Sequence, residues 1–571
     1  MDNKTGKTID CLFIGHNEIP FRQYVRSVKT MGKHSGAYRD LNLNFITYNN
    51  KPYTVAEIFN LFNCSENCSP NSSNAYKPLR AGAVFSAGIA YLGTYLNRRG
   101  YTFDYVSSFQ DEKDELAQKL AGEDIRTIAI ITTFYVSAFP ILEIMEFIKK
   151  YNQTAKIIIG GPFIFTKYRS LDTAELEYLF KVTIGSDIYV ISSQGEATLV
   201  KIIHSLKNNL PLDQVSNIYF KAGDIYKSTP VQGENNKLSA NMVDWSLFQN
   251  RVGELINVRT SISCPFTCAF CGFPERAGEY QTVEVEKIEE ELNVLKKIRT
   301  VKTLTFIDDT FNIPRERFKK ILRMMIKNKY RFKWHSNFRC QYADREMIEL
   351  MRESGCEGVF LGIESGNNQI LKNMNKAASV EKYIEGIGLL KEFQIFTMGS
   401  FIIGFPGETD ETARDTLNFI KESKIDFFQA QQWYCEPITP IYRQSHKYDI
   451  KGASFEWSHS TMDSVKAAEW VEEIFSNVEE SIWIPQYNFS FNIVWHLLLR
   501  GMSPEKVKRF LRSFRNGIKE KLINPSQREI SFEVINRLKE FSTIKNENDD
   551  FDDLGIKELR AVNREGVKFN F

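Results

Sequence analysis

The sequence predicts an α/β protein with two successive parallel-sheet units and a mostly helical C-terminal region. Short β-branched runs alternate with amphipathic helical stretches over residues 1–215, and the alternation begins again at residue 251. After Pro440 the pattern becomes helical. A chain of 571 residues is also too long for one hydrophobic core, so several domains are expected.

The first unit, residues 1–215, has the pattern of a layered α/β domain. "DCLFIG" and "YTFDYV" are predicted strands on either side of the helix "SAGIAYLGTYLNRRG", which Gly100 ends. "TIAIITTF" is typical of a strand buried on both faces, and "AKIIIGGP" and "VTIGSDIYVI" are further strands. A long insertion after the first strand, including "SGAYRDLNLNFITYNNKPY", suits either a structured loop over a pocket or a decorative loop.

The second unit, residues 251–440, is a predicted barrel. The polar residues 216–250 before it are predicted as a linker or a small hairpin region. The strand "GELINVRTS" is followed by five further predicted strands with helices between them. Such a β/α series predicts an open or closed parallel barrel, with ligand chemistry at the C-terminal ends of its strands. Residues 441–571 are predicted as a helical domain, in which "SPEKVKRFLRSF" begins at a Ser N-cap.

Composition excludes several functional classes. The net charge of +2 makes no electrostatic case for binding nucleic acid or anionic lipid. The N-terminus lacks the order of basic, apolar and small residues that marks a signal peptide. The longest uncharged runs contain polar residues and reach only marginal membrane-spanning length. We therefore expect a cytoplasmic protein with neither nucleic-acid nor membrane partners.

Three of the nine cysteines lie close together, at Cys264, Cys268 and Cys271. A reduced cytoplasmic chain of this size does not need disulfides, and neighbouring thiolates repel one another unless a metal or cluster binds them. Structural zinc needs four protein ligands, and no fourth cysteine or histidine is near. Three ligands leave one position open for chemistry on a bound molecule. Cys64 and Cys68 have no third thiol nearby and are not expected to bind metal.

The pattern Cys264-x3-Cys268-x2-Cys271, with Phe270 before the last cysteine, resembles the signature of the radical SAM family. "GVFLGIESGNNQILKNMNK" and "SFIIGFPGETDET" resemble the fourth and fifth barrel strands of that family. The resemblance implies a partial (β/α)6 barrel that binds a 4Fe-4S cluster. Three irons would bind the three thiolates, and S-adenosylmethionine would chelate the fourth.

The same resemblance implies roles for further residues of the barrel. Those implied to contact S-adenosylmethionine are Phe270, Arg339, Glu364 and Gly404. A guanidinium matches a carboxylate bidentately, so Arg339 is the candidate for the methionine carboxylate, and a surface ion pair is the competing interpretation. Asp308 and Asp309 lie at the C-terminal end of a strand, where they are candidates to face the substrate or to cap a helix. The Gly-Gly-Glu stretch usual in the family is absent.

The first α/β unit resembles the Rossmann-like cobalamin-binding domain often fused before a radical SAM barrel. Glycines and small hydroxyl residues at strand ends let the backbone approach a broad planar ring, and a nucleotide-binding domain would use them in the same way. The residues implied to contact cobalamin are Thr132, Thr133, Ser137, Gly160, Gly161, Gly195 and Glu196. No histidine lies in an Asp-x-His-x-x-Gly loop, so we expect a non-histidine residue, water or nothing on the lower face of cobalt.

Together the resemblances imply a cobalamin-dependent radical SAM methyltransferase. Its substrate would be a non-nucleophilic carbon or a phosphinate phosphorus of a small-molecule natural-product intermediate, methylated by way of a 5′-deoxyadenosyl radical and methylcobalamin. "GHNE" and "WSHSTMDS" look most like the branch that includes P-methyltransferases. An external electron donor such as a flavodoxin or ferredoxin is implied. The alternatives are a cobalamin-dependent radical SAM cyclase or rearrangement enzyme, and a non-catalytic cofactor sensor.

Overall fold

The computed structural model describes residues 8–32, 35–64, 78–80, 84–487, 492–524 and 529–544. Cys68 lies outside the described residues. The strands of the N-terminal unit are β1 (Thr8–His16), β2 (Ile46–Tyr48), β3 (Lys51–Tyr53), β4 (Phe103–Ser108), β5 (Asp124–Ile131), β6 (Lys156–Gly160), β7 (Ile188–Val190), β8 (Ile218–Ala222) and β9 (Ile225–Ser228). Its helices are α1 (Phe21–Lys29), α2 (Gly36–Asn42), α3 (Val55–Cys64), α4 (Ala87–Asn97), α5 (Lys113–Gly122), α6 (Phe139–Tyr151), α7 (Pro162–Ser170), α8 (Thr173–Glu177) and α9 (Glu196–Lys207).

The first sheet has the strand order β4-β1-β5-β6-β7-β8-β9. The strands β4 to β7 and β1 pair in parallel, as their mostly apolar, β-branched sequences predict. β8 pairs antiparallel with β7, and β8 and β9 form a hairpin through Gly223 at a φ of 65°. Residues 218–228 therefore belong to the sheet, and the segment 216–250 is a hairpin in its first part rather than a linker throughout. The hairpin forms because "IYFKAGDIYKS" places a glycine between two aromatic-rich runs.

The insertion after β1 is structured and packs on the C-terminal region. Arg39 donates two hydrogen bonds to the Glu472 carboxylate, at 2.8 and 2.6 Å. The rings of Phe21 and Tyr487 lie 4.7 Å apart, and the Trp483 indole N–H donates to the carbonyl oxygen of Leu43 at 3.1 Å. The described part of the insertion thus joins the N-terminal unit to the C-terminal region.

The second unit contains the predicted parallel sheet. Its strands are β10 (Leu255–Val258), β11 (Ser261–Ile262), β12 (Gln281–Thr282), β13 (Thr303–Phe306), β14 (Lys333–Asn337), β15 (Cys356–Glu364), β16 (Phe396–Ile403) and β17 (Phe427–Gln432). Its helices are α10 (Phe273–Ala277), α11 (Val285–Leu295), α12 (Arg315–Lys327), α13 (Arg345–Glu353), α14 (Asn368–Asn373), α15 (Val380–Glu392) and α16 (Asp410–Ser423). β10, β13, β14, β15, β16 and β17 pair in parallel in that order, which confirms the predicted series.

The C-terminal region is mostly helical, as predicted, but it also completes the barrel sheet. Its elements are α17 (Ser445–Tyr448), β18 (Lys451–Ala453), β19 (Glu456–His459), β20 (Met462–Asp463), α18 (Ser464–Asn477), β21 (Ile482–Trp483), α19 (Ile493–Leu499), α20 (Pro504–Ile523) and α21 (Phe532–Ser542). β21 pairs in parallel with β17 as the seventh strand of the second sheet. A boundary at residue 440 therefore does not separate this region from the barrel. None of the described helices has the length and apolar character needed to cross a membrane.

The N-terminal end of the barrel sheet is closed by α19. The rings of His335 and Trp495 stack with centroids 4.4 Å apart. Trp495 also lies so close to Gly358 that a Cβ atom there would come within 2.3 Å of the indole. Gly358 is thus required for close approach of α19 to β15.

We expect Gly358→Ala to destabilise the protein by about 1–3 kcal/mol, because a methyl group must displace Trp495 from a close-packed site. The matched control is Gly388→Ala on the exposed face of α15, where a Cβ meets nothing within 4 Å. That change should stabilise by about 0.5–1 kcal/mol through helix propensity. Urea unfolding followed by tryptophan fluorescence measures both, and equal effects would contradict the assignment.

Candidate functional site

The carboxyl ends of both parallel sheets border one cavity of about 820 Å³. Ile131, Gly160 and Val190 line it from the ends of β5, β6 and β7. Arg259 and Ile307 line it from the ends of β10 and β13. Because ligands bind at the carboxyl ends of parallel strands, this cavity is the expected place for chemistry in both units.

The three clustered cysteines lie on the loop between β11 and α10, and each thiol has a polar neighbour. The Arg339 guanidinium donates to Cys268 Sγ at 3.2 Å, and the Phe273 backbone N–H donates to Cys271 Sγ at 3.4 Å. The Thr310 hydroxyl lies 4.0 Å from Cys264 Sγ. Donors placed around sulfur are what thiolates bound to a cluster require.

Burial makes the free thiolates unfavourable at this site. Burial, together with the neighbouring Cys268 and Cys264, raises the pKa of the Cys271 thiol to about 11. Burial also raises the pKa of Cys264. The described residues contain no group of three or more His, Cys, Asp or Glu side chains arranged around a single ion. In an iron–sulfur cluster each thiolate binds a different iron, so the sulfur atoms lie farther apart than the ligands of a single metal ion. Three cysteines that do not surround one ion are therefore compatible with a cluster.

The structure gives the two candidate aspartates different positions. The Asp308 carboxylate is buried and accepts hydrogen bonds from the backbone N–H groups of Thr260 and Ser261, both at 2.7 Å. It therefore fixes the turn that leads into the cysteine loop. Asp308 neither caps a helix nor lines the cavity. Asp309 lines the cavity and its side chain is exposed to it, although surrounding protein atoms partly desolvate the carboxylate. This desolvation, with the nearby Asp308, raises the pKa of Asp309 to about 7.

Glu364 and Phe270 meet through Lys376. The Lys376 ammonium lies 2.8 Å from the Glu364 carboxylate, and both side chains are buried. The same ammonium lies 5.4 Å from the centre of the Phe270 ring. Glu364 has a φ of 69°, at an irregularity in the register between β15 and β16. Two predicted S-adenosylmethionine contacts are thus brought together, and Lys376 is the residue that the sequence did not single out.

Arg339 and Gly404 have roles within the protein. Arg339 is buried beside Cys268, with its guanidinium 3.5 Å from the centre of the Phe266 ring, so the surface ion pair considered for it is not formed. Gly404 donates its N–H to the Glu408 carboxyl and accepts from His459 Nε2 at 3.0 Å. Its backbone groups are therefore already engaged. Its φ of 87° and close approach to Trp457 explain why glycine stands there.

Five of the seven residues predicted to contact cobalamin line the cavity: Thr133, Gly160, Gly161, Gly195 and Glu196. Thr132 is buried behind them and donates its hydroxyl to the carbonyl oxygen of Gly160 at 2.9 Å. Gly161 has a φ of 111°, and a Cβ there would lie 2.9 Å from that hydroxyl. Ser137 follows the same loop and does not border the cavity among the described residues.

Several cavity residues were not singled out from the sequence. Arg276 on α10 lies 2.9 Å from the Glu436 carboxylate, which follows β17, and both residues line the cavity. Arg259 and Ser263 line it from the segment between β10 and the first cysteine. Their position next to the cysteine loop is a signal that could have identified them.

Comparison with known proteins agrees with this geometry. Residues 258–420, which contain the cysteine loop and most of the barrel, match the family model described as the Radical SAM superfamily. The barrel is a radical SAM domain. The predicted resemblance to that family is therefore confirmed, and the chain is an enzyme of the radical SAM type.

Relatives extend the similarity beyond the radical SAM domain. An uncharacterized methyltransferase of Pyrococcus horikoshii is 26% identical over 73% of this chain and 91% of its own length. An anaerobic magnesium-protoporphyrin IX monomethyl ester cyclase of Cereibacter sphaeroides is 26% identical over 64% of this chain and 61% of its own length. The bacteriochlorophyllide d C-12(1)-methyltransferase of Chlorobaculum tepidum is 26% identical over 59% of this chain and 69% of its own length.

Two solved structures share the fold around the radical SAM domain. The cobalamin-dependent S-adenosylmethionine radical enzyme OxsB, determined with aqua-cobalamin and S-adenosylmethionine, matches 94% of this chain and 84% of its own, with a TM-score of 0.57 and 14% identity. The radical S-adenosylmethionine methyltransferase TsrM of Kitasatospora setae, determined with cobalamin and a 4Fe-4S cluster, matches 64% of this chain and 72% of its own, with a TM-score of 0.52 and 17% identity. At these identities the likeness establishes the fold.

We expect Cys268→Ala to abolish 5′-deoxyadenosine formation and to lower the iron content, because two thiolates are too few to hold the cluster. Cys356→Ala is the matched control, since Cys356 is buried in β15 away from the cysteine loop. Iron and sulfide analysis, with chromatography of the nucleoside product, measures both variants. Full activity in Cys268→Ala would refute a cluster at this loop.

Proposed function

We propose that the protein is a cobalamin-dependent radical SAM methyltransferase that methylates a non-nucleophilic carbon of a small molecule. The single observation that carries this proposal is the shared cavity. Ser263 and Phe273, which flank the three cysteines, line it from the barrel side, and the glycine-rich strand ends of the first unit line its other side. The cysteines themselves lie behind this lining. Two cofactors bound on opposite walls would both reach a substrate between them.

The wall of the first unit fits a broad ring. Gly160, Gly161 and Gly195 present backbone where a side chain would project. Phe134 and Val136 line the same cavity although they are 50% and 84% exposed, so apolar surface is open to a ligand there. No described residue of the cavity lining is a histidine, which supports the expectation of a non-histidine lower face on cobalt.

When bound, the cluster with S-adenosylmethionine supplies the radical that removes a hydrogen atom, and cobalamin supplies the methyl group. The chain's own residues bind and orient these groups. Cys264, Cys268 and Cys271 hold the cluster, and the Arg339 guanidinium donates to Cys268. Bound cofactors and substrate would displace water from the cavity and so protect reactive species. Asp309, which is open to the cavity, is the side chain placed to hydrogen-bond a substrate.

Carbon is the acceptor that the relatives support. Their names include the bacteriochlorophyllide d C-12(1)-methyltransferase and the hopanoid C-2 methylase of Rhodopseudomonas palustris, and both names state a carbon position. A phosphinate phosphorus has support only from the short sequence resemblances. A cyclase is the second candidate, because the Cereibacter sphaeroides relative is named as one.

Labelled S-adenosylmethionine tests the proposal without a known substrate. The reconstituted protein would be incubated anaerobically with cobalamin, a reductant and S-adenosylmethionine carrying a trideuterated methyl group. We expect the label in protein-bound cobalamin together with S-adenosylhomocysteine, both measured by mass spectrometry. Label recovered only in methionine, with 5′-deoxyadenosine still formed, would reject methylation and favour the cyclase.

We expect substitutions of Asp308 and Asp309 to have different effects on stability, iron content and turnover. We expect Asp308→Asn to lower the stability by about 1–3 kcal/mol and to reduce the iron content, because a neutral amide is a weaker acceptor for the two backbone N–H groups than a carboxylate and presents an NH2 group where the Thr260 hydroxyl now donates. Asp309→Asn should leave both unchanged and should reduce only substrate-dependent turnover. Thermal unfolding and iron analysis compare them. If Asp309→Asn loses iron as Asp308→Asn does, Asp309 instead has a structural role.

A further inference from the structure

Arg259 is a cation on the cavity wall that forms no ion pair with any residue in the described part of the chain. It follows β10, five residues before Cys264, and lines the cavity. Its guanidinium carbon lies 4.0 Å from the centre of the Tyr91 ring, on α4 of the first unit, and its Nε is buried without a hydrogen-bond partner. Within the described chain no carboxylate lies within 4 Å of it, as an ion pair would require.

The nearest acidic residues do not neutralise Arg259 by contact. Burial raises the pKa of Glu196 and raises that of Glu291 to about 7. The positive charge of Arg259 lowers both pKa values, but burial has the larger effect. The Glu291 carboxylate is also taken by the Trp245 indole N–H at 2.7 Å. By contrast, the guanidinium of Arg276 in the same cavity lies 2.9 Å from both oxygens of the Glu436 carboxylate. Among the described residues the Arg259 guanidinium therefore meets the Tyr91 side chain but no carboxylate, and its Nε–H is left without an acceptor.

A second polar group on the same segment is also unsatisfied. Ser263 is 3% exposed, lines the cavity, and has a hydroxyl without a hydrogen-bond partner. Its φ of 65° is a conformation that non-glycine residues rarely adopt. Buried hydroxyl groups are normally hydrogen-bonded, so this one indicates a missing partner at the cavity wall.

We propose that Arg259, assisted by Ser263, binds an anionic group of the substrate, a carboxylate or a phosphinate, and so selects acidic small molecules. A guanidinium presents parallel N–H donors that match the paired oxygens of such groups. The Tyr91 ring orients the guanidinium and holds it at the junction of the two units. This inference rests on the proposed function in placing the substrate in the shared cavity.

Ligand-observed NMR on the full chain, reconstituted with cluster and cobalamin, tests the inference. The probes are benzoate and phenylphosphinate, with benzamide as the neutral match. We expect both anions to bind more tightly than benzamide, and Arg259→Gln to weaken both by about tenfold while benzamide is unchanged. Arg259→Lys should retain part of the preference. Arg443→Gln, which removes a guanidinium from a surface pair with Glu275, is the matched control and should behave as the wild type.

Equal binding of anions and benzamide by the wild type, or an unchanged preference in Arg259→Gln, would overturn the inference. If Arg259→Gln does not fold, Ser263→Ala replaces it, with an expected loss of about threefold for the anions. A third outcome concerns the phosphate of cobalamin. Retention of cobinamide, which lacks that phosphate, with loss of cobalamin in Arg259→Gln would assign Arg259 to the cofactor and reject the substrate role.

Failure of the proposed function gives a different result. If the visible spectrum of the wild type shows no bound cobalamin but the protein still prefers the anions over benzamide, the anion site is supported and the methyltransferase proposal is rejected. If cobalamin binds and receives label while no anion preference exists, the anion site falls alone.

Discussion

The site depends on holding three mutually repelling thiolates close together on one short loop. Asp308 holds the start of this loop in place, because its buried carboxylate accepts hydrogen bonds from the backbone N–H groups of two successive residues in the turn before the loop. Arg339 supplies a positive charge at Cys268. An ordinary loop would move to separate the sulfurs, so cluster binding requires this rigid support around the ligands.

The second constraint is that two sheets must present their carboxyl ends to the same space. The insertion after β1 and the C-terminal region help to satisfy this constraint, because Arg39 of the insertion donates two hydrogen bonds to Glu472 of the C-terminal region. Neither the described part of the insertion nor α19 to α21 lines the cavity. Their contribution is to fix the relative position of the two units, which sets the distance between the two cofactor walls.

The strands and the cysteine ligands could be predicted from the sequence, because both follow local patterns. β5 and β6 each contain a run of apolar, mostly β-branched residues, and the three cysteines lie within eight residues. The separation of Asp308 from Asp309 could not be predicted, since neighbouring residues in an extended segment point in opposite directions and only the fold decides which side is the cavity. Lys376 and Tyr91 were missed because their partners, Glu364 and Arg259, lie in other elements of the chain. The seventh strand, β21, has only two residues and too little pattern to detect.

The charged side chains of the cavity then limit which ligands it can bind. Arg276 and Glu436 neutralise each other, and Asp309 has a raised pKa that keeps it partly protonated near neutrality. Among the described lining residues Arg259 and Lys167 are then the cations without an ion pair, and Arg259 is the one on the barrel wall beside the cysteine loop. Placing an unpaired cation against a largely apolar cavity wall costs free energy unless a ligand compensates it. A neutral substrate would leave that cost in place, whereas an acidic substrate removes it on binding, so the same residue that destabilises the empty cavity favours the occupied one.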